Sequence, residues 1–249
     1  MSFIKNIAGR IFALWAILTF VITMLLIILP AWALGFLPEP KRTTAFINLS
    51  RIWMSVWLPL AGIRLVIKGK EHFAKGENYV VVCNHNSFMD VPVTSPGIPG
   101  GNKTIAKIEF TKIPLFGIIY RRGSVLVDRK SEESRSKSYA YMKKVLEMGL
   151  HMCIYPEGTR NKTELPLKEF KDGAFRLAIE TDKNIIPAVL FNTKNVLPQH
   201  QKFFFWPGKI EMHFLPPVSV HDLTMADVKA LNQNVFNKMW KYIEENRNA

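Results

Sequence analysis

From Ile11 to Pro38 the chain carries no charged residue, and the stretch Ile11 to Leu29 is long and apolar enough to cross a bilayer or bury in one. Any fold this sequence adopts must either hide that segment, give it to lipid, or lose it. Removal has some support, because Lys5 and Arg10 form a basic start and Ala31-Trp32-Ala33 mimics a small-x-small cleavage site. A secretory core, however, usually holds only about 7–15 apolar residues. The expectation is therefore an uncleaved anchor. Pro30 should end or kink its helix, and the polar Pro38-Glu39-Pro40-Lys41-Arg42 turn should introduce a second one. There Phe46, Leu49, Trp53, Val56, Trp57 and Leu60 recur at helical spacing, with Asn48, Arg51 and Ser55 on the other side. Such an amphipathic helix suits the membrane interface, so a two-helix anchor in one leaflet and a single crossing both stay open.

Beyond Ile63 the texture changes to short β-branched runs at Leu65–Ile67, Tyr79–Cys83, Thr104–Ala106, Val125–Val127, Met152–Tyr155, Ile185–Phe191 and Ile210–Phe214. Helical patterns fall between and after them, at Ser131–Met148, Asp172–Thr181 and Met225–Glu245. The alternation predicts an α/β fold: a single domain over 63–249 with a mostly buried mixed sheet flanked by helices, preceded by two membrane-engaging helices over 1–62. With 33 basic against 20 acidic residues the chain is basic by +13, which favours an anionic partner. At 48% hydrophobic, with 17 Phe and 6 Trp, it is greasier than a nucleic-acid binder needs, so the expected partner is a membrane and not nucleic acid. Cys83 and Cys153 lie in apolar runs, outside any CxxC or metal-ligand spacing. Buried core thiols are the simple reading; a thioester-forming nucleophile at Cys83 is the alternative.

GxSxG, HExxH and GxGxxG are all absent, which removes the usual signatures of serine hydrolase, zinc protease and dinucleotide enzyme. The run Gly97 to Thr104 approaches a phosphate loop, but Asn102 stands where the glycine before the lysine belongs, and the run reads as a turn. More informative is Val80-Val-Val-Cys-Asn-His-Asn-Ser-Phe-Met-Asp90, a strand that runs into a histidine and reaches an aspartate five residues on. Positions five apart diverge by roughly 140° on a continuous helix. The two can meet only if His85 lies at a non-helical entrance and Asp90 in the first turns, with Asn86 or Ser87 available to cap. The carboxylate could then hold one ring nitrogen and leave the other free as a base. Alone, such a pair is more often structural than catalytic.

Three further blocks change that weighting. Lys107-Ile-Glu-Phe is followed by Pro114, Gly117, Gly123 and Asp128-Arg129; then come Tyr155-Pro-Glu-Gly-Thr-Arg160 and Ile185-Ile-Pro-Ala-Val-Leu190. In this order, over about half the chain, the blocks resemble the glycerolipid acyltransferase family, specifically 1-acylglycerol-3-phosphate acyltransferases of bacterial type, whose first motif is a histidine, four residues and an aspartate. Ile108-Glu109-Phe110 departs from the commoner second block, which weakens fine substrate assignment. The resemblance implies a fatty acyl transfer from acyl-CoA or acyl carrier protein to the free hydroxyl of a lysophosphatidate-like acceptor, with no metal or other cofactor. It also implies an inner (cytoplasmic) membrane location with the domain facing the cytoplasm. His85 is then the base and Asp90 its orienter. Arg160 and Lys107 would hold the acceptor phosphate, Glu157 and Gly158 would shape the binding loop, and Thr159 joins them as a substrate-binding residue; Arg129, Lys171, Arg121 and Arg122 read either as a path for an anionic donor or as an ordinary solvated face. Outside the motif, Arg160 would read as a surface cation and Glu157 as a cap. Another lysolipid acceptor remains open, as does a non-catalytic lipid-binding module, although the latter would be marked by loss of His85 or Asp90. Finally, Lys202-Phe-Phe-Phe-Trp-Pro-Gly-Lys209 reads either as a second interfacial contact or as a buried strand.

Overall fold

The computed structural model describes residues 3–246. Seven strands form one sheet: β1 (Ile63–Lys68), β2 (Val80–Cys83), β3 (Asn102–Lys107), β4 (Ser124–Val127), β5 (His151–Ile154), β6 (Ile185–Phe191) and β7 (Gly208–Phe214). Their order is β1-β7-β6-β2-β5-β3-β4, and every pairing is parallel except β6 with β7. The sheet is thus mixed, as its patterning implies, and each expected strand is present within two residues at either end. Alternation on β2 divides the core. Val81 and Cys83 enter one apolar layer together with Ile186, Ala188, Ile210 and Met212, whereas Val80 and Val82 face the other with Met152, Ile185 and Val189. Helices α5 (Glu132–Glu147), α6 (Gly173–Glu180) and α8 (Val228–Asn246) cover the second layer. The first is covered by α1 (Phe3–Ala33), α2 (Lys41–Leu60) and α3 (Asp90–Gly97). Two short helices, α4 (Phe116–Gly123) and α7 (Thr193–Val196), complete the chain.

The long apolar segment is a single 31-residue helix. Pro30 neither ends nor breaks it: α1 continues to Ala33 and a 3-10 turn over Leu34–Phe36 follows. Pro30 sits in the last turn, where the missing N–H costs one terminal hydrogen bond instead of interrupting a ladder. One side of α1 is built from small residues, Gly9, Ala13, Ala16, Thr19 and Thr23, all buried. Small side chains let α2 come close enough for indole hydrogen bonds: Trp57 Nε1 donates to the Ala16 carbonyl at 3.2 Å and Trp53 Nε1 to Thr23 Oγ1 at 2.9 Å. The opposite side, Ile7, Ile11, Leu14, Leu18, Ile22, Leu25 and Leu29, is exposed along the whole length.

Helix α2 departs from its expected orientation. Phe46, Trp53 and Trp57 point inward as their spacing predicts, but Val56 and Leu60 are exposed, and the buried face runs through Thr43, Ile47, Ser50, Met54 and Leu58. The helix is sandwiched between α1 and the sheet, so its buried face is wider than one apolar stripe. Arg51 donates to the carbonyls of Pro96, Ile98 and Gly100, pinning α2 to the last turn of α3 and the loop beyond it. The segment Lys202–Lys209 is neither a strand over its aromatics nor a free anchor. Phe204 and Phe205 are buried, the Phe205 N–H donates to the Gly9 carbonyl at 3.0 Å, and the Trp206 ring meets Phe12 edge-on; Phe203 is exposed. The aromatics are a clasp for the N-terminal half of α1. A Cβ added at Gly9 would come within 2.0 Å of the Phe204 ring. Gly9→Val should therefore destabilise the full chain by about 1–3 kcal/mol through overpacking, while Ile7→Val on the exposed side should change it by less than about 0.5 kcal/mol. Thermal unfolding of both variants checks this; equal melting temperatures would refute the clasp.

Candidate active site

Strands β2, β3, β4 and β5 are mutually parallel, so their carboxyl ends lie at one edge of the sheet. The segments leaving them carry His85, Lys107, Arg129 and Tyr155 to Arg160. Parallel topology thereby gathers motifs 75 residues apart into one place. His85 lies in an extended stretch before α3, and Asp90 opens that helix. His85 Nδ1 and Asp90 Oδ2 are 2.7 Å apart. The same Oδ2 accepts the N–H groups of Asn86 (2.6 Å) and Ser87 (2.8 Å), and Asp90 is fully buried. The capping is thus the reverse of the expected one. Asp90 reaches back to the backbone of 86 and 87, while Ser87 Oγ donates to the Leu197 carbonyl and accepts from the Met89 N–H.

Several groups that sequence reasoning did not single out hold His85 in place. Its ring stacks on Tyr155, centroids 4.4 Å apart at 24°. The Tyr155 hydroxyl donates to Thr94 Oγ1, which donates to the Asp90 carbonyl. The Asn161 N–H donates to the His85 carbonyl at 2.6 Å, and Gln199 Nε2 donates to the carbonyls of Asn86 and Asn161. Tyr155 and Asn161 flank the Pro-Glu-Gly-Thr-Arg run and were findable there. Gln199 follows Pro198 in a loop that offers no such signal.

Glu157 is the link between the two motifs. It is 2% exposed; Oε1 accepts the His85 N–H at 2.7 Å and Oε2 accepts the Lys168 N–H at 3.1 Å. Burial raises its pKa to about 7 against the pull of those two donors. Gly158 has φ +70°, and its carbonyl accepts from Arg129 Nη1; a Cβ there would meet Lys171 Cε at 3.0 Å. Thr159 is exposed, its Oγ1 accepting from Lys168 Nζ at 2.7 Å. The Arg160 guanidinium lies 3.6 Å above the Phe88 ring, a cation–π contact that holds it beside the dyad instead of in bulk solvent. Burial lowers its pKa, which Asp90 partly offsets.

His85, Tyr155, Gly158, Thr159 and Arg160 line one cavity of about 1760 Å³. Part of its wall is apolar, built from Ala13, Ala16, Phe20, Trp53 and Trp57 of the two N-terminal helices. His85 and Tyr155 stand on its wall, and the cations Lys107, Arg129, Arg160 and Lys171 share its polar part. Arg121 and Arg122 do not line it; they face a separate cavity, so the expected basic path is divided. Cys83 is fully buried with its thiol pKa pushed well up by that burial, and Cys153 is raised to about 12 for the same reason. Both are core thiols, and Cys83 has no access to an acyl group. Among the described residues no group of three or more His, Cys, Asp or Glu is placed to hold a metal ion.

The Glu157 carboxyl gives a signed pH effect. A carboxyl raised in the folded state from its usual value near 4.5 to about 7 favours folding fully below pH 4.5 and loses that contribution as pH rises toward 7. Buried His151, lowered to about 4, acts oppositely across the overlapping range, so the wild type alone does not isolate the effect. The difference between wild type and Glu157→Gln does. Wild-type stability relative to the variant should fall by on the order of 3 kcal/mol between pH 4.5 and pH 7.5 in urea titrations. A constant difference would remove the proposed ionisation.

A sequence profile for the family described as Acyltransferase matches residues 64–190. The mouse (Mus musculus) 1-acyl-sn-glycerol-3-phosphate acyltransferase alpha is 33% identical over 188 residues, which are 75% of this chain and 66% of that protein. The chain thus matches just under two thirds of that relative's length. The 1-acyl-sn-glycerol-3-phosphate acyltransferase of Borreliella burgdorferi is 28% identical over 195 residues, 78% of this chain and 76% of the other. Among solved structures, the 1-acyl-sn-glycerophosphate (LPA) acyltransferase PlsC from Thermotoga maritima superposes with a TM-score of 0.78 over 98% of both chains at 20% identity, a likeness of fold.

Proposed function

The chain belongs to the acyltransferase family, and from that premise we propose that it moves a fatty acyl group from a thioester donor to the free hydroxyl of 1-acylglycerol 3-phosphate, giving phosphatidate. The observation that carries the reading is the His85–Asp90 contact of 2.7 Å on the wall of a cavity lined both by apolar side chains of α1 and α2 and by the cations Lys107, Arg129, Arg160 and Lys171. With Nδ1 held by Asp90, Nε2 is the nitrogen left for substrate. It takes the proton from the acceptor hydroxyl as that oxygen attacks the thioester carbonyl; the carbon–sulfur bond then breaks, and the departing thiolate receives the proton back from the imidazolium. Asp90 stabilises the imidazolium between those two steps. The transfer is direct, without an acyl-enzyme, and uses no metal or cofactor. Arg160 and Lys107 bind the acceptor phosphate, the former as a planar fork. Acyl-CoA and acyl carrier protein both supply the required thioester.

The relation to the bilayer follows from how α1 is held. The domain grips it near its start, through Phe205 on Gly9, and near its end, where Arg122 Nε donates to the Ala31 carbonyl at 3.5 Å. These grips are 22 residues apart, about 33 Å of helix, comparable with a hydrocarbon core about 30 Å thick. A helix crossing that core would drag the domain into it. The proposed arrangement therefore has α1 lying in one leaflet, its exposed Ile and Leu stripe toward lipid, with the domain on the cytoplasmic surface. The cavity then opens beside the lipid from which a lysophospholipid arrives.

His85→Ala should reduce turnover by at least roughly 10²–10⁴-fold while the protein remains folded, measured with the purified full chain and both donor types. Wild-type-like turnover would exclude the mechanism. Arg160→Ala should raise the apparent acceptor KM roughly ten- to hundredfold with little change for the donor. In a panel of lysolipids, preference for an acceptor without a phosphomonoester would reject lysophosphatidate as the substrate.

A further inference from the structure

A second cavity of about 490 Å³ lies at the β4 edge of the sheet and shares only Ser124 and Ser138 with the catalytic one. Its lining contains five cations, Arg42, Lys103, Arg121, Arg122 and Lys137, against two carboxylates, Glu39 and Glu133. Glu133 is paired with Lys137 at 2.5 Å, which leaves Glu39 to serve the rest. Glu39 contacts Arg42 at 3.0 Å and Lys103 at 3.4 Å, and its other oxygen caps α2 through Thr43. Lys103 is only 3% exposed and its remaining partner is the Arg122 carbonyl, a neutral group. The Arg122 guanidinium makes one hydrogen bond, the 3.5 Å contact to Ala31, and Arg121 makes one, to the Thr111 carbonyl. Three positive charges thus exceed the carboxylates around a recess. Buried or half-buried charge without a counter-charge is costly, and a site with spare guanidinium N–H groups is suited to a phosphate.

The position of the recess indicates the source of that phosphate. Arg122 lies against Gly35 in the 3-10 turn that ends the apolar helix. Beside it, Trp32 and Phe36 stack edge to face at 5.1 Å and are 49% and 77% exposed. Aromatic rings at the end of a lipid-facing helix mark the headgroup level. We propose that this cavity binds the phosphate of an anionic bilayer lipid, a non-catalytic headgroup site that fixes the α1–α2 turn and the β4 edge against the membrane surface.

The test is the melting temperature of the full chain in neutral-detergent micelles doped with phosphatidylglycerol, phosphatidylcholine, or no lipid plus inorganic phosphate. Phosphatidylglycerol at ten times its dissociation constant should raise the wild-type value by roughly 3–6 °C, and phosphatidylcholine should not. Arg122→Gln should lose at least half of that rise, and Arg160→Gln in the catalytic cavity should keep it. Because Arg122 also packs on α1, the exposed pair Arg121→Gln with Lys137→Gln gives the same reading if Arg122→Gln does not fold. A rise that survives both sets of changes, or that disappears in Arg160→Gln, overturns the site. An equal, Arg122-dependent rise with inorganic phosphate alone overturns the lipid source and assigns the cavity to a soluble phosphate.

Discussion

One oxygen of Asp90 organises the centre of this protein. Oδ2 accepts three N–H groups at 2.6–2.8 Å, from the backbone of Asn86 and Ser87 and from the ring of His85. Three donors on one oxygen offset the burial of this carboxylate, whose other oxygen, Oδ1, has no hydrogen-bond partner among the described residues, and the opening turn of α3 adds favourable backbone dipoles. The loop between β2 and α3 therefore has little choice of shape. Glu157 then ties the backbone of His85 to the segment after β5, so that Arg160 arrives on the same wall of the cavity. Removing the Asp90 contact would loosen His85 and, through the loop and Glu157, the segment that carries Arg160.

The second constraint is the length and charge-free character of α1. A helix of this kind could have stood apart from the domain, yet its small-residue face is filled by α2 and by the Phe204–Trp206 clasp. The result is a cavity whose wall combines apolar side chains of α1 and α2 with cationic side chains carried by the segments around the sheet. Such a combination suits the proposed acceptor, whose acyl chain and phosphate need both environments. Helix α2 is part of the same core, with Arg51 tied to the Pro96 carbonyl in the last turn of α3 and to the Ile98 and Gly100 carbonyls beyond it.

Much of this was legible in the sequence. The β-branched runs marked all seven strands, and the histidine–aspartate spacing required the non-helical entrance that His85 occupies. Local patterns failed where the deciding partner is distant in the chain. The exposed positions of Val56 and Leu60 and the burial of Phe204 and Phe205 near Gly9 depend on which surfaces meet. Helix α3 holds Pro92 and Pro96 within eight residues, a composition that reads as a turn and not as a helix. Lys103 sits in a run that resembles a damaged phosphate loop, and only the fold shows it on a strand, buried beside Glu39. Gln199 had no signal at all, since a glutamine bridging two loop carbonyls follows no motif.

The central claim is that His85 acts as a base because the Asp90 carboxylate holds its ring and stabilises the imidazolium, and Asp90→Asn tests it most directly. An asparagine keeps the shape, and its amide oxygen can take the place of Oδ2 toward the three N–H groups, but it brings no negative charge to stabilise the imidazolium formed when Nε2 takes the proton. Steady-state kinetics of the purified, folded variant should show kcat reduced by roughly 10²–10⁴-fold with the acceptor KM changed by less than about threefold. A kcat within about tenfold of the wild type would contradict the account.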